Sequence, residues 1–570
     1  MTNTLIEEVM DSIESPFLKE FNKHTEFEYN CILNGKSRTW DIRLQFGDDF
    51  PYKLPRVELL TENDIGVIPH VSVNGIICVE ENDSIIINYH KPVDVVTVLL
   101  QQVTRLLERS RLKICQHELS DEYEGYFQFS NHISATVHSF YHAKDRTEYI
   151  YIYSFSPDNP KRATSKPVLM KGVNIPLPDG YSNLDQSDKH QREKGIHIAL
   201  DRPVMPPAGG QSLSIDYILK IASFSSVKNK RRLNKILKKS KTRFYYYVLL
   251  SMPRITGERS QVLFKCSNSG LLPHPLIEQS DDWKVESYLL NRHNKEYLIE
   301  RGGATLSLAD KKVSIVGCGS VGGEIAVMIA KAGVGELILV DRDLFYPDNV
   351  YRHRLGGASL NFKPNPKSAI VQNKRKVSLL AAMLQAELPY VKVKIKDQYF
   401  QKLEQDTDIL ASDVVIVAVG SPTANFQINR SMKVMGIQRA IFCWNEAASL
   451  GGHSIAINFE HSCYECLFSD EIGFKNSNDL DLLQTGKTIS KNLTGCAGVF
   501  TPFSYIDSSQ TAALAAQQCV EVLLYDLHSQ ALTWKGENRE HLEVTDRFNK
   551  IALKESTKVS RSNGCQVCNG

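Results

Sequence analysis

The run KKVSIVGCGSVGGEIAVMIAKAGVGELILVDRD at residues 311–343 sets the fold of half the chain. Its first apolar stretch is too short for a buried helix and is closed by glycines, so it reads as a strand. The next dozen residues repeat apolar side chains three and four apart, as a helix does, and ELILV is a second apolar strand ending in an acid. Two further short apolar runs, DVVIVAVGS at 413–421 and QRAIFCWN at 438–445, have the continuous hydrophobicity of strands buried on both faces of a parallel sheet. From about residue 286 onward the chain is therefore expected to be a doubly wound α/β domain.

Within that run Gly317, Gly319 and Gly322 form G-x-G-x-x-G between a strand and the opening of a helix, with Asp341 at the end of the next strand. The first glycine permits the tight turn, the second lets a phosphate approach the backbone, and the third lets helix and strand pack closely. Amides at the helix N-terminus then face the anion, and Asp341 accepts from ribose hydroxyls. The fingerprint alone does not separate a dinucleotide from ATP. Asn349, Arg352 and Lys367 follow beyond the sheet edge, where phosphates point. A departing pyrophosphate needs such groups and a dehydrogenase does not; a polar surface loop would account for them equally.

The first residues, MTNTLIEEVMDSIES, do not read as a secretory leader, so the twelve cysteines are expected to be thiols, catalysts or metal ligands. Cys463 and Cys466 form one C-x-x-C pair and Cys565 and Cys568 another. Together they make the four-thiolate set of a structural zinc that closes a long loop.

Outward to the N-terminus, residues 1–125 alternate helix pattern, half-buried strands such as Trp40-Asp41-Ile42-Arg43-Leu44, proline punctuation at Pro51 and Pro55, and a turn at Asn74-Gly75 with Cys78 just beyond it. After Pro92 the pattern is helical, so this region is α+β. Residues 126–285 carry strand signals at 148–155 and 244–251 around a Pro/Gly-rich stretch, and are expected to form a linker domain with a mobile loop. The segment at 227–243 holds nine Lys or Arg, a density that fits the solvated face of a helix or a docking patch for an acidic partner.

Composition is that of a globular chain: 570 residues, 42% hydrophobic and 23% charged. With 67 basic and 65 acidic side chains the net charge is +2, so no global field draws it to nucleic acid or an anionic membrane. Nowhere do about 18 apolar residues run together as a spanning helix requires, and the chain reads as cytoplasmic.

The segment from about 295 to the end resembles the ThiF/MoeB-like, ubiquitin-activating adenylyltransferases. The resemblance rests on the glycine turn, LVDRD, and Asn349 and Arg352 eight and eleven positions after Asp341. It implies a Rossmann-like adenylation domain using ATP with magnesium, in which Asp341 holds ribose while Asn349, Arg352 and Lys367 hold the triphosphate. Many relatives place a magnesium-binding aspartate after the strand that here reads VVIVAVGSPTAN, yet Gly420 to Thr423 include no acid. Cys496 fits the slot of the family's thioester cysteine. The first domain resembles the ubiquitin-conjugating core, with Cys78 as its transthiolation cysteine. His70-Val71-Ser72 stands where that family has H-P-N, so the asparagine that supports the oxyanion is missing from its slot.

The two together resemble the bacterial ubiquitin-transferase-like fusions of CBASS anti-phage operons. That resemblance implies a homodimeric ligase. The C-terminus of a partner protein, the CD-NTase of the operon, is adenylated, carried on Cys496 and then Cys78, and joined to a target lysine. The alternative is a sulfur-carrier adenylyltransferase with a non-catalytic docking domain.

Overall fold

The computed structural model describes the chain apart from residues 1, 37, 61–66, 73, 80–85, 115–117, 119–122, 126–132, 156–165, 174–189, 207–212, 255–257, 279, 281, 361–374, 469–477, 485–488, 494–498, 526–528 and 552–570. It divides into two compact units, residues 1–298 and 299–570.

The first unit opens with helix α1 (Thr2–Asp11) and an antiparallel sheet in sequential order, β1 (Leu18–Lys23), β2 (Glu28–Asn34), β3 (Thr39–Gln45), β4 (Arg56–Leu59) and β5 (Ile76–Ile77). Strict alternation decides which face is covered. Cys31 and Leu33 on β2 and Trp40, Ile42 and Leu44 on β3 point into a core closed by Val96, Leu100, Val103 and Leu107 of helix α2 (Pro92–Arg111). Trp40 satisfies its indole N–H on Glu108 of α2 at 3.1 Å.

The region read as a linker forms a closed seven-stranded barrel. Strands β6 (Ile133–Ser139), β7 (Glu148–Phe155), β8 (Lys166–Gly172), β9 (His190–Ala199), β10 (Arg243–Met252), β11 (Ser260–Leu272) and β12 (Lys284–Arg292) run in the order β10-β11-β12-β6-β8-β7-β9, with β9 pairing back onto β10. Strand β10 is buried on both sides. Tyr245, Tyr247 and Leu249 join one core with Ile150 and Leu263. Tyr246, Val248 and Leu250 join another, under helices α3 (Ile215–Ala222) and α4 (Val227–Leu237).

In the second unit the sheet order is β15 (Lys392–Lys396), β14 (Glu336–Val340), β13 (Lys312–Val316), β16 (Val414–Val417), β17 (Arg439–Asn445), β18 (Gly451–Asn458) and β21 (Gln530–Lys535). The first five are parallel and the last two antiparallel. Helices α5 (Ser320–Lys331), α6 (Lys376–Glu387), α7 (Pro422–Val434) and α8 (Tyr505–Leu524) accompany it, and a short ladder of β19 (Lys491–Asn492) with β20 (Val499–Phe500) precedes α8. Chain order reverses between β13 and β16, and in open parallel sheets ligands bind at that switch point. Among the described residues no helix is long and apolar enough to cross a membrane.

Candidate functional site

The three glycines differ physically. Gly317 has φ +87°, a conformation an L side chain rarely adopts, and a Cβ there would meet the Ala418 carbonyl oxygen at 2.7 Å. A Cβ on Gly322 would lie 1.9 Å from the Gly317 carbonyl oxygen, so close packing of α5 on the turn depends on its absence. Around Gly319, the N-cap of α5, a Cβ would meet nothing within 4 Å, and no side chain caps the helix. Space and open amides coincide at that one position, as a phosphate requires.

Asp341 holds this turn. One carboxylate oxygen accepts from the Cys318 amide at 2.8 Å and the other from the Asp343 amide at 2.7 Å. From the other side His353, 5% exposed, lies 2.8 Å by its Nε2 from the Cys318 carbonyl oxygen while its Nδ1 accepts from the Leu355 amide at 3.0 Å. That acceptor role fixes the tautomer, with the proton on Nε2. Burial pushes the His353 pKa below its ordinary value, which keeps the ring neutral.

At the switch point these elements enclose a cavity of about 610 Å³. Gly319 and Ser320 come from the turn, Asn349 and Arg352 from the loop after β14, Lys376 from the start of α6, and Gly420 from the end of β16. Asn349 is fixed by accepting from the Tyr346 amide at 3.1 Å, and the Arg352 guanidinium lies over the Phe503 ring at 5.7 Å. Lys376 was not singled out from the sequence; its Nζ rests 3.1 Å from Asp343 with the side chain 12% exposed. Lys367, the lysine the sequence picked, lies outside the described residues.

The carboxylates that line the cavity among the described residues are Glu446 and Asp481. Glu446 pairs with buried His453 at 3.0 Å, and burial raises the Asp481 carboxyl to about 6. Asn425 also lines the cavity, 2% exposed, and among the described residues its Oδ1 has no hydrogen-bond partner. Thr501 and Phe503 border the cavity from the chain after β20, and Cys496 lies outside the described residues.

Cys463 and Cys466 bring their sulfurs to 3.7 Å. Two thiolates on one tetrahedral zinc, with Zn–S about 2.3 Å, stand about 3.8 Å apart, so the pair fits. Burial works against ionising Cys463, but hydrogen bonds from Asn429 and Cys466 carry its pKa below the usual thiol value. Cys565 and Cys568 lie outside the described residues.

In the first unit Cys78 is exposed directly after β5. Its amide donates to the His70 carbonyl at 2.7 Å, and His70, at φ +60°, has its ring 3.0 Å from Glu118. The Ser72 hydroxyl accepts from the Ile76 amide at 3.0 Å, so it closes the turn through Gly75.

Two families match the chain. Residues 292–562 match the ThiF family and residues 17–135 the Prokaryotic E2 family B. The chain is 22% identical over 542 residues to an ATP-dependent ubiquitin transferase-like protein Cap2 from Pseudomonas aeruginosa (strain BWHPSA011 / Pa011), across 91% of this chain and 90% of that protein. It is 25% identical over 289 residues to the protein of the same name from Escherichia coli (strain TW11681), across 49% of this chain. That alignment spans only 43% of the Escherichia coli relative. A similar one, at 24% identity, spans 41% of the relative from Vibrio cholerae serotype O1 (strain ATCC 39315 / El Tor Inaba N16961). Among solved structures, E. coli MccB with MccA-N7isoASN is 16% identical with a TM-score of 0.29, over 48% of this chain and 71% of that one. The chain thus carries a Prokaryotic E2 family B domain ahead of a ThiF family domain, and is similar over nine-tenths of its length to a Cap2 protein.

Proposed function

We propose that the chain is an ATP-dependent ubiquitin-like transferase that activates the C-terminus of a partner protein and conjugates it to an amine. The observation that carries this reading is the switch-point cavity, where open space at Gly319 meets Asn349, Arg352 and Lys376. A dehydrogenase site has no use for those cations. In the proposed reaction the substrate carboxylate attacks the α-phosphorus of ATP, and the bond to pyrophosphate breaks. Arg352 and Lys376, with Lys367 as the resemblance implies, stabilise the charge that accumulates on the leaving oxygens. Asp341 keeps the glycine turn in place and accepts from ribose; Asn349 orients the phosphates. Magnesium supplies further charge neutralisation when bound, and Glu446, Asp481 and the Asn425 carbonyl oxygen are the groups that would hold it in place of the acid missing at Gly420.

The acyl group then passes from adenylate to the Cys496 thiolate with release of AMP. It moves to Cys78 by thiol exchange, and a lysine amine attacks, loses its proton and expels the Cys78 thiolate. Exposure of Cys78 supports the last two steps. The resemblance to Cap2 proteins supports a CD-NTase C-terminus as the activated group, anti-phage CBASS signalling as the setting, and a homodimer as the working form. Zinc on Cys463, Cys466, Cys565 and Cys568 is structural in this reading.

The test is to incubate the chain with ATP, magnesium and a candidate nucleotidyltransferase, and to follow adducts by non-reducing electrophoresis and intact mass. Thiol-sensitive adducts are expected in the wild type, none in Cys496→Ala, and adducts confined to the adenylating domain in Cys78→Ala. ATP consumption with no adduct in any variant would replace this reading by a sulfur-carrier adenylyltransferase with a docking domain.

A further inference from the structure

The basic segment at 227–243 has no part in the activity above. Helix α4 buries Leu233 and Leu237 in the core beneath it. The residues just past its end, Lys239, Lys241 and Arg243, reach a cavity of about 360 Å³ in the first unit, which Lys194 of β9 also lines. Among the described residues no carboxylate lines that cavity, and none pairs with Lys194, Lys239 or Lys241. Arg243 faces Glu193 at 3.9 Å.

One buried group points to what belongs there. His274, 1% exposed, lines the same cavity, and its Nδ1 accepts from the Leu276 amide at 3.2 Å. The ring proton therefore sits on Nε2, which has no partner among the described residues. Burial depresses the His274 pKa to about 3, leaving a neutral ring with a single N–H donor. Buried donors in native proteins are nearly always matched, so an orphan at the lining of a cavity calls for an acceptor that the described residues do not supply. Four cationic side chains beside one unmatched buried donor, with no carboxylate among the described lining residues, complement an anion with several oxygens. Aromatic groups accompany them. Tyr246 lies 4.5 Å from the His274 ring, and Lys194 sits 5.2 Å over Tyr149. The volume is at the lower end of small-molecule sites.

We infer that this cavity binds a small phosphate-bearing molecule, with Lys239, Lys241 and Arg243 around the phosphate and the His274 Nε2–H donating to it. Inorganic phosphate and a nucleoside monophosphate share that chemistry, so both are used as probes. The experiment is calorimetric titration of the full chain with phosphate and, separately, with AMP. It is run on an Arg352→Ala background, which weakens the nucleotide cavity of the other unit, and with and without Lys239→Ala plus Lys241→Ala.

Saturable binding is expected on the Arg352→Ala background, weakened at least about tenfold by the double lysine substitution, since charged hydrogen bonds of this kind are each worth a factor of that order. Both lysines are exposed, so the unliganded unfolding midpoint should not move. Tighter binding of AMP than of phosphate would name a nucleotide as the ligand, and equal binding the bare anion. Absence of saturable binding for both probes, or binding that the double substitution leaves intact, overturns the inference.

Discussion

At the scale of single residues, Gly319 and Gly322 make opposite demands. Gly322→Ala places a methyl 1.9 Å from a backbone oxygen, so the turn must shift and both folding stability and ATP binding are expected to fall. Gly319→Ala meets no atom within 4 Å at a negative φ; its unfolding midpoint should barely change while ATP affinity drops, because the new methyl occupies the phosphate's approach. Thermal unfolding beside nucleotide titration separates the two. His353→Phe removes the donor to the Cys318 carbonyl and the acceptor for the Leu355 amide, and should cost about 1–3 kcal/mol for each buried group left unmatched. The glycines and Asp341 were legible because their geometry is fixed by neighbours in sequence. His353 and Lys376 were not. One acts on a carbonyl 35 residues back, and the other is brought to the cavity only by the way α6 begins.

Asp481 supplies the pH dependence. Its carboxyl is raised from 3.8 to about 6 by burial, so the folded state holds the proton more tightly than the unfolded one. The stability this contributes is fully present below the unfolded pKa and is lost as pH rises towards 6. Asp481→Asn should therefore gain stability relative to wild type between pH 4 and 7, with no such gain below pH 4. A difference in unfolding midpoint that stays flat with pH would show that the carboxyl is not perturbed.

At the scale of elements, the signals at 148–155 and 244–251 were sufficient for strands, and the structure has Glu148–Phe155 and Arg243–Met252. What periodicity could not convey is which elements cover β10, since a continuous apolar run says nothing about the neighbours that close over it. Leu249→Ala, at a fully buried position, should cost about 2–5 kcal/mol in chemical denaturation. Leu271→Ala on the neighbouring strand is 58% exposed and should change stability by less than about 0.5 kcal/mol. The basic helix was visible as charge density, and α4 does bury only its Asn229, Leu233 and Leu237 face. Its connection to a cavity depends on Lys194 and His274, which lie far away in sequence.

At the scale of the whole molecule, two compact units lie in one chain, and each end matches its own family. The cysteine pairs bear on the second unit as a whole. One zinc per chain is expected by elemental analysis, and chelation or Cys463→Ser should release it and lower the unfolding midpoint of that unit. The shape of the middle region was the least legible part of the sequence. A barrel is specified by which distant edges meet, and no local pattern records that.

The closure of that barrel has a consequence for how the protein is made. Strand β6 completes its pairing only with β12, Ile133 lying opposite Ser287 some 150 residues later in the chain. At synthesis rates of about 5–20 residues per second, the edge of β6 waits roughly 8–30 s for its neighbour. During that interval an apolar half-barrel stands open on the ribosome, so yield in the cell should respond to chaperone supply and growth temperature more than the stability of the finished protein would suggest.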